Sequence, residues 1–232
     1  AVDIPTAALT LARHCWPGPL TLLLNKTNAV SHLVTGGRET VAIRIPANDC
    51  ARQIIEQCGH ALAAPSANLF GHVSPTTALH VLNDLGDKVD LIIDDGDCTI
   101  GVESTIVDFT TAQPQLLRPG GFPAEDLESI IGEQIHMPSG ESRASGMLAS
   151  HYAPQCRVVL VDTIAEARQA LSENGNARIL EHWDNSPLYA ASLYTQMRQA
   201  DSDGITAIIA VLPNTSGLGL AIRDRLNKAS FL

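Results

Sequence analysis

The stretch GVESTIVDF, residues 101–109, joins two kinds of chemistry. Its second half alternates as a strand should, with Ile106, Val107 and Phe109. Directly ahead of that strand stand Glu103, Ser104 and Thr105. Earlier in the chain ALAAPSANLFGHVSPT, residues 61–76, has the same character: an apolar run leads into small hydroxyl and amide side chains. Strands that end in such residues define a sheet with a polar site at its rim, and the rest of the chain reads as the frame around it.

Outward from there, the pattern predicts an α/β protein. Residues 5–14 carry helical spacing after Pro5, and WPGP (16–19) breaks the helix ahead of the buried strand LTLLLN. TVAIRIPAN (40–48) alternates as a strand, and CARQIIEQC (50–58) is a helix with Asp49 as its N-cap. HALAAPSAN (60–68) reads as strand then loop, and SPTTALHVLNDLG (74–86) as a helix capped by Ser74 with Pro75 in its first turn. VDLIID, STIVDFT and PQLLRPG supply three short strands, and PAEDLESIIG a short helix with acids in its first turn. Glu133 to Gln155 is rich in Ser, Gly and Pro and has no period, which marks a linker or active-site lid over 133–157. Beyond it RVVLVD, AEARQALSE, ARIL, LYAASLYTQMRQAD, ITAIIAVLP and LGLAIRDRLNKA alternate strand and helix, the pattern of a small parallel sheet. The expected domains are 1–132, the linker 133–157 and 158–232.

Composition sets bounds on function. A hydrophobic fraction of 45% is globular, and aromatics at 4% leave the core to Ala, Leu, Ile and Val. No apolar run reaches the ~18 residues of a membrane span. The net charge of −10 argues against a broad nucleic-acid surface, but not against a small anion gripped by local arginines. The five cysteines are odd in number and lack metal-ligand spacing, so no metal site is expected; they read as the reduced thiols of a cytoplasmic protein.

The candidate site residues lie at strand ends and turns. Ser66 and Asn68 sit in PSAN, Ser74 follows at a helix start, Ser104 and Thr105 sit in GVEST, and Arg118 follows a strand beside two glycines. Arg44 lies in an apolar strand with Thr40 on the same face by period-two counting. Backbone N–H groups and arginine suit phosphate oxygens. Taken singly, each residue has a plain structural role as turn, cap or ion pair. His60 and His72 flank Ser66, yet no G-x-S-x-G elbow supports serine hydrolysis, and neither a Walker A motif nor G-x-G-x-x-G is present. No residue is assigned as nucleophile or general acid or base. In the linker, His151 and Tyr152 could fold back over a pocket.

In order, WPGPLTLLL, TVAIRIP, AAPSANLFGHVSPT, GVESTIVDF and LLRPGG closely resemble the YrdC-like family of L-threonylcarbamoyladenylate synthases. SGMLASHYAP (145–154) and GLGLAIRDRLNKAS (217–230) resemble its two-domain variant, with a linker and a second α/β domain. The resemblance implies a YrdC-like twisted mixed sheet with flanking helices, plus a small C-terminal parallel, Rossmann-like α/β domain. It implies an enzyme that makes threonylcarbamoyl-AMP and pyrophosphate from L-threonine, bicarbonate and ATP with Mg²⁺, for N6-threonylcarbamoylation of adenosine 37 in tRNA. Partners would be the tRNA-modifying machinery and, transiently, tRNA; double-stranded RNA binding belongs to the same family picture, and no membrane does. By position, Arg44, the backbone at Ala64 and Ser104 are expected at threonine. Thr40, Ser66, Asn68, Ser74, Arg118, His151 and Tyr152 are expected on the ATP side.

The sequence departs from the family at its start, where a T-x-T-x-Y-G-L strand and a K-x-R motif are expected and neither is present. Lys26 in NKTNAV lacks the K-x-R context. The catalytic domain is therefore expected to be N-terminally incomplete. A competing expectation is a non-catalytic nucleotide- or RNA-binding module on the same fold, and a third is a relative that handles carbamoyl-adenylate in hydrogenase maturation. The linker and second domain favour the threonine enzyme over the last.

Overall fold

The computed structural model describes residues 1–138 and 152–230. In chain order the first elements are α1 (Thr6–Cys15), β1 (Leu20–Asn25), β2 (Thr40–Ile43), α2 (Asp49–Cys58) and α3 (Ala78–Leu85). They are followed by β3 (Thr105–Asp108), β4 (Gln115–Arg118) and α4 (Ala124–Ile131). The last are β5 (Arg157–Val161), α5 (Ile164–Glu173), β6 (Ala177–Ile179), α6 (Ser186–Ser202), β7 (Ala207–Val211) and α7 (Gly219–Ala229). The packing divides them into two compact units, Ala1–Ala64 with Glu103–Met147, and Pro65–Val102 with Leu148–Leu232.

In the first unit a mixed sheet has the order β2-β1-β3-β4. β1 pairs antiparallel with β2 and parallel with β3, and β3 pairs antiparallel with β4. Leu20, Leu22, Leu23 and Leu24, all buried and interrupted only by Thr21, explain why β1 is an inner strand: both its faces are covered. Leu23, Ile106 and Leu117 meet in one core cluster, and Ala8 and Leu11 of α1 and Leu127 of α4 are buried as well. Gly132 closes α4 in the left-handed region, where a side chain is disfavoured.

The second unit is built on a parallel sheet of order β5-β7-β6. Every residue of β7 is buried, and its alternation divides the core. Ile208 and Ala210 join a cluster with Tyr189, Leu193 and Met197 of α6 and Ile222 and Leu226 of α7. Ile209 and Val211 join Ala167 of α5 in another. Helices on both faces of an all-parallel sheet satisfy the rule that such sheets are buried on both sides. The predicted α/β class, with a mixed sheet and a parallel sheet flanked by helices, is thus observed.

Several local expectations change. The runs at 60–64 and 89–94 are not strands, because an apolar run becomes one only where another segment takes its backbone hydrogen bonds, and no described segment does. Leu62, Leu91 and Ile93 are accordingly exposed. The N-cap of α2 is Asn48, whose Oδ1 accepts from the Ala51 N–H at 2.8 Å; Asp49 is the first helical residue and pairs with Arg52. α3 begins after Thr77, whose hydroxyl caps the His80 N–H, and not after Ser74. Residues 74–76 stay outside the helix because their polar groups are held elsewhere: Arg198 takes the Ser74 carbonyl, and the Thr76 N–H donates to His80 Nδ1 at 3.2 Å.

Candidate functional site

In the first unit the strand ends draw four polar residues together. The Thr21 hydroxyl of β1 and the Ser104 hydroxyl, one residue ahead of β3, are 2.8 Å apart. Arg118, the last residue of β4, donates from Nε to the Ser104 carbonyl at 3.1 Å and from Nη2 to Ser104 Oγ at 3.1 Å. The parallel register of β1 on β3 and the antiparallel return of β4 bring these three residues to one end of the sheet. All three are buried, so the guanidinium is a desolvated charge fixed by two bonds to one residue. Thr105 completes the group: its hydroxyl donates to the Phe122 carbonyl at 2.6 Å and accepts from the Phe122 N–H at 2.9 Å.

The turn after Arg118 lies directly on the GVEST backbone. A Cβ on Gly120 would stand 2.3 Å from the Glu103 carbonyl oxygen and 2.5 Å from the Thr105 nitrogen, closer than any side chain tolerates. The Gly121 N–H donates to the same Glu103 carbonyl at 2.9 Å. The two glycines therefore hold Arg118 against Ser104.

Arg44 follows β2 and is not inside it, since the ladder with β1 ends at Ile43. Its Nε donates to the Gly18 carbonyl at 3.1 Å, and the Gly18 N–H donates to the Ile45 carbonyl at 2.9 Å. Thr40 opens β2 opposite Asn25, and Ala64 is exposed in the same unit. Thr40, Arg44, Ala64, Ser104 and Arg118 thus belong to the first unit, and the structure brings Ser104 and Arg118 into contact.

Ser66, Asn68, Ser74 and Tyr152 belong to the second unit. Asn68 closes its own loop: Nδ2 donates to the Leu69 carbonyl at 2.8 Å and the His72 carbonyl at 3.2 Å. Its Oδ1 is enclosed and has no donor among the described residues, an arrangement that suits an N–H or O–H brought by a ligand. Ser66 is exposed and Ser74 buried. Tyr152 is 2% exposed, stacks on Tyr194 with ring centroids 5.7 Å apart, and lies under the Arg225 guanidinium at 5.1 Å. It is thus seated in the core of its unit. His151 lies outside the described residues.

Sequence reasoning misses Thr21, which meets the Ser104 hydroxyl, and three residues of the second unit: Arg225 above the Tyr152 ring, Thr195, whose hydroxyl meets that of Thr76, and Arg198, which donates to the Val73 and Ser74 carbonyls. Thr21 reads as one more member of a buried strand, and a hydroxyl inside an apolar run is the one signal that could have singled it out. The three others sit in helices whose patterns give no reason to mark them. Among the described residues no group of His, Cys, Asp and Glu could hold a metal ion, and no helix is long and apolar enough to cross a membrane.

Buried hydroxyls and an arginine at one end of a mixed sheet, followed in the chain by a parallel-sheet unit, define a two-part α/β protein with a polar cluster built into its first sheet. Residues 1–120 match the Sua5/YciO/YrdC family, described as telomere recombination, and residues 122–230 match the threonylcarbamoyl-AMP synthase C-terminal domain. The threonylcarbamoyl-AMP synthase of Pyrococcus abyssi is 40% identical, over 99% of this chain and 75% of that protein. The enzyme of the same name from Bacillus subtilis is 38% identical, over 97% of this chain and 73% of its own length. Among solved structures, P. abyssi Sua5 complexed with L-threonine matches with a TM-score of 0.90 at 39% identity, over 99% of this chain and 75% of that one. The chain belongs to the threonylcarbamoyl-AMP synthase family in its two-domain, Sua5-type form. The likeness runs through both family domains to proteins named as synthases, which disfavours the non-catalytic module.

Proposed function

We propose that the chain forms threonylcarbamoyl-AMP and pyrophosphate from L-threonine, bicarbonate and ATP, for N6-threonylcarbamoylation of adenosine 37 in tRNA. The observation that carries this reading is the buried Thr21–Ser104–Arg118 cluster in a chain that matches the synthases over nearly its whole length. Arg44, the backbone at Ala64 and Ser104 are the threonine-side groups. Thr40, Ser66, Asn68, Ser74, Arg118 and Tyr152 are the ATP-side groups. The enclosed Asn68 Oδ1 is suited to a ribose hydroxyl or an adenine amino group.

The chemistry asks for positioning and charge neutralisation more than for a nucleophilic side chain. The threonine amine forms an N–C bond to the carbon of bicarbonate with loss of water, giving a carbamate. A carbamate oxygen then attacks the α-phosphorus of ATP, and the bond to pyrophosphate breaks. Both nucleophiles come from substrate, which fits a set of hydroxyls, amides and arginines without a catalytic base. Mg²⁺ would ride on the nucleotide phosphates, as that ion commonly does when a protein offers no cage. Transfer onward to tRNA calls for the tRNA-modifying machinery as partner, and a cytoplasmic setting suits that role.

The test is calorimetric titration with L-threonine and with ATP–Mg²⁺, beside a pyrophosphate-release assay containing bicarbonate. Release that depends on threonine is expected. Ser104→Ala and Arg118→Lys should each reduce it, because each breaks the 3.1 Å contact. Binding of neither substrate would overturn the reading.

A further inference from the structure

The loop that carries Ser66, Asn68 and Ser74 is held from behind by α6. Arg198 donates from Nε to the Ser74 carbonyl at 3.3 Å and from Nη2 to the Val73 carbonyl. The same guanidinium pairs with both oxygens of Asp84 at 3.0 Å and 2.5 Å. Both side chains are largely withdrawn from water, at 14% and 12% exposure. Three residues earlier on α6 the Thr195 hydroxyl meets the Thr76 hydroxyl at 2.9 Å, so neighbouring positions on one face of the helix hold the loop at two points, Val73 with Ser74, and Thr76. One turn before Arg198, Tyr194 carries the stacked ring of Tyr152. The Ala153 N–H, in turn, donates to the Gly71 carbonyl at 3.2 Å. Tyr194, Thr195 and Arg198 therefore seat two separate chain segments, and both bear proposed ATP-side residues.

The fork of Arg198 is what makes the arrangement rigid. One planar group satisfies a carboxylate and two consecutive carbonyls, which fixes the backbone direction at Val73 and Ser74. Lysine could keep the ion pair with Asp84 but has no second planar edge for the carbonyls. Nothing in this arrangement is needed to complete the parallel sheet, whose order β5-β7-β6 is closed without residues 65–102.

We propose that Arg198 is a positioning residue for nucleotide binding, acting through the backbone of Val73 and Ser74. By this reading, which rests on the proposed ATP side of the loop, one task of the C-terminal domain is to hold that loop in register. The test uses Arg198→Lys in the full chain, with Ser74→Ala and Asn68→Ala as reference variants. Calorimetry reports ATP–Mg²⁺ and L-threonine affinity, and amide exchange reports the loop. Arg198→Lys is expected to weaken ATP about tenfold, with threonine affinity and melting temperature close to the parent's. Amides of Ser74, Thr76 and Thr77 should exchange faster. Faster exchange with unchanged ATP affinity would overturn the proposal, as would equal weakening of both ligands together with a fall in melting temperature. If Ser74→Ala and Asn68→Ala both bind ATP like the parent, the nucleotide reading of the loop itself fails, and that failure shows in the reference variants irrespective of Arg198.

Discussion

Gly120→Ala places one methyl group where the structure has no room for it. The added Cβ would lie 2.3 Å from the Glu103 carbonyl oxygen and 2.5 Å from Ser104 C and Thr105 N, all of them backbone atoms. A carbon and a carbonyl oxygen come no closer than about 3.3 Å, so one of the two segments must retreat by about 1 Å. The Arg118 bonds to Ser104, at 3.1 Å each, would then pass beyond hydrogen-bond reach. Overpacking of this kind costs about 1–3 kcal/mol, offset by about 0.4–1 kcal/mol because alanine restricts the unfolded chain more than glycine does. The net loss lies between about 0 and 2.6 kcal/mol and is centred near about 1.3 kcal/mol, which corresponds to a fall in melting temperature of about 3–5 °C. Scanning fluorimetry measures it, and circular dichroism confirms retained secondary structure. Threonine affinity, read by calorimetry, should fall in step, because Ser104 is displaced. A variant with the parent's melting temperature and threonine affinity would refute the claim that close backbone approach at Gly120 sets the Ser104–Arg118 geometry.

Three further outcomes are expected. Tyr189 is fully buried on α6 and its hydroxyl has no partner among the described residues, so Tyr189→Phe should leave stability unchanged or raise it by up to about 1 kcal/mol in a denaturant titration. His80 Nδ1 accepts from the Thr76 N–H at 3.2 Å, and burial, then the Arg198 charge, hold its pKa below the usual 6.5 against the weaker pull of Asp84 and Asp97. The unfolded chain therefore takes up this proton first, so this contribution is full above pH 6.5 and is lost as pH falls through the folded-state value; His80→Asn should flatten the slope of stability against pH in that window. Burial and the neighbouring Asp201 push the Cys156 thiol up to about 12, and burial also raises Cys15, whereas Cys58 and Cys98 are exposed. Mass spectrometry after brief alkylation should find Cys58 and Cys98 modified and Cys15 and Cys156 modified only after denaturation.

What the sequence reveals depends on how local the deciding interaction is. The C-terminal parallel sheet is legible because each element carries its own signal: β7 is a continuous apolar run, and α5 opens with a capping box between Thr163 and Glu166. The strands read at 60–64 and 89–94 fail because pairing is not a property of the run itself. At the site, Ser104 and Arg118 stand out as a hydroxyl and an arginine at strand ends. Thr21 does not, because its partner Ser104 is 83 residues away. Arg198 is harder still: its carbonyl partner Val73 is 125 residues earlier, and an arginine on a helix ordinarily faces water.

Inheritance and cooperativity partition this polypeptide differently. The two sequence families meet between residues 120 and 122, whereas the second compact unit begins at Pro65, leaves at Val102 and resumes at Leu148. Val73 and Val102 lie in one hydrophobic cluster with Leu193, Ile208 and Leu226. Gly101 approaches α6 so closely that a Cβ there would stand 2.2 Å from the Ala190 carbonyl oxygen. Removing everything after residue 121 would therefore deprive an upstream segment of its core and of its Arg198 anchor. Loss of function in such a truncation would report the melting of that segment as well as the missing domain. The two contributions separate with substitutions that keep the chain whole, not with deletions drawn at the family boundary.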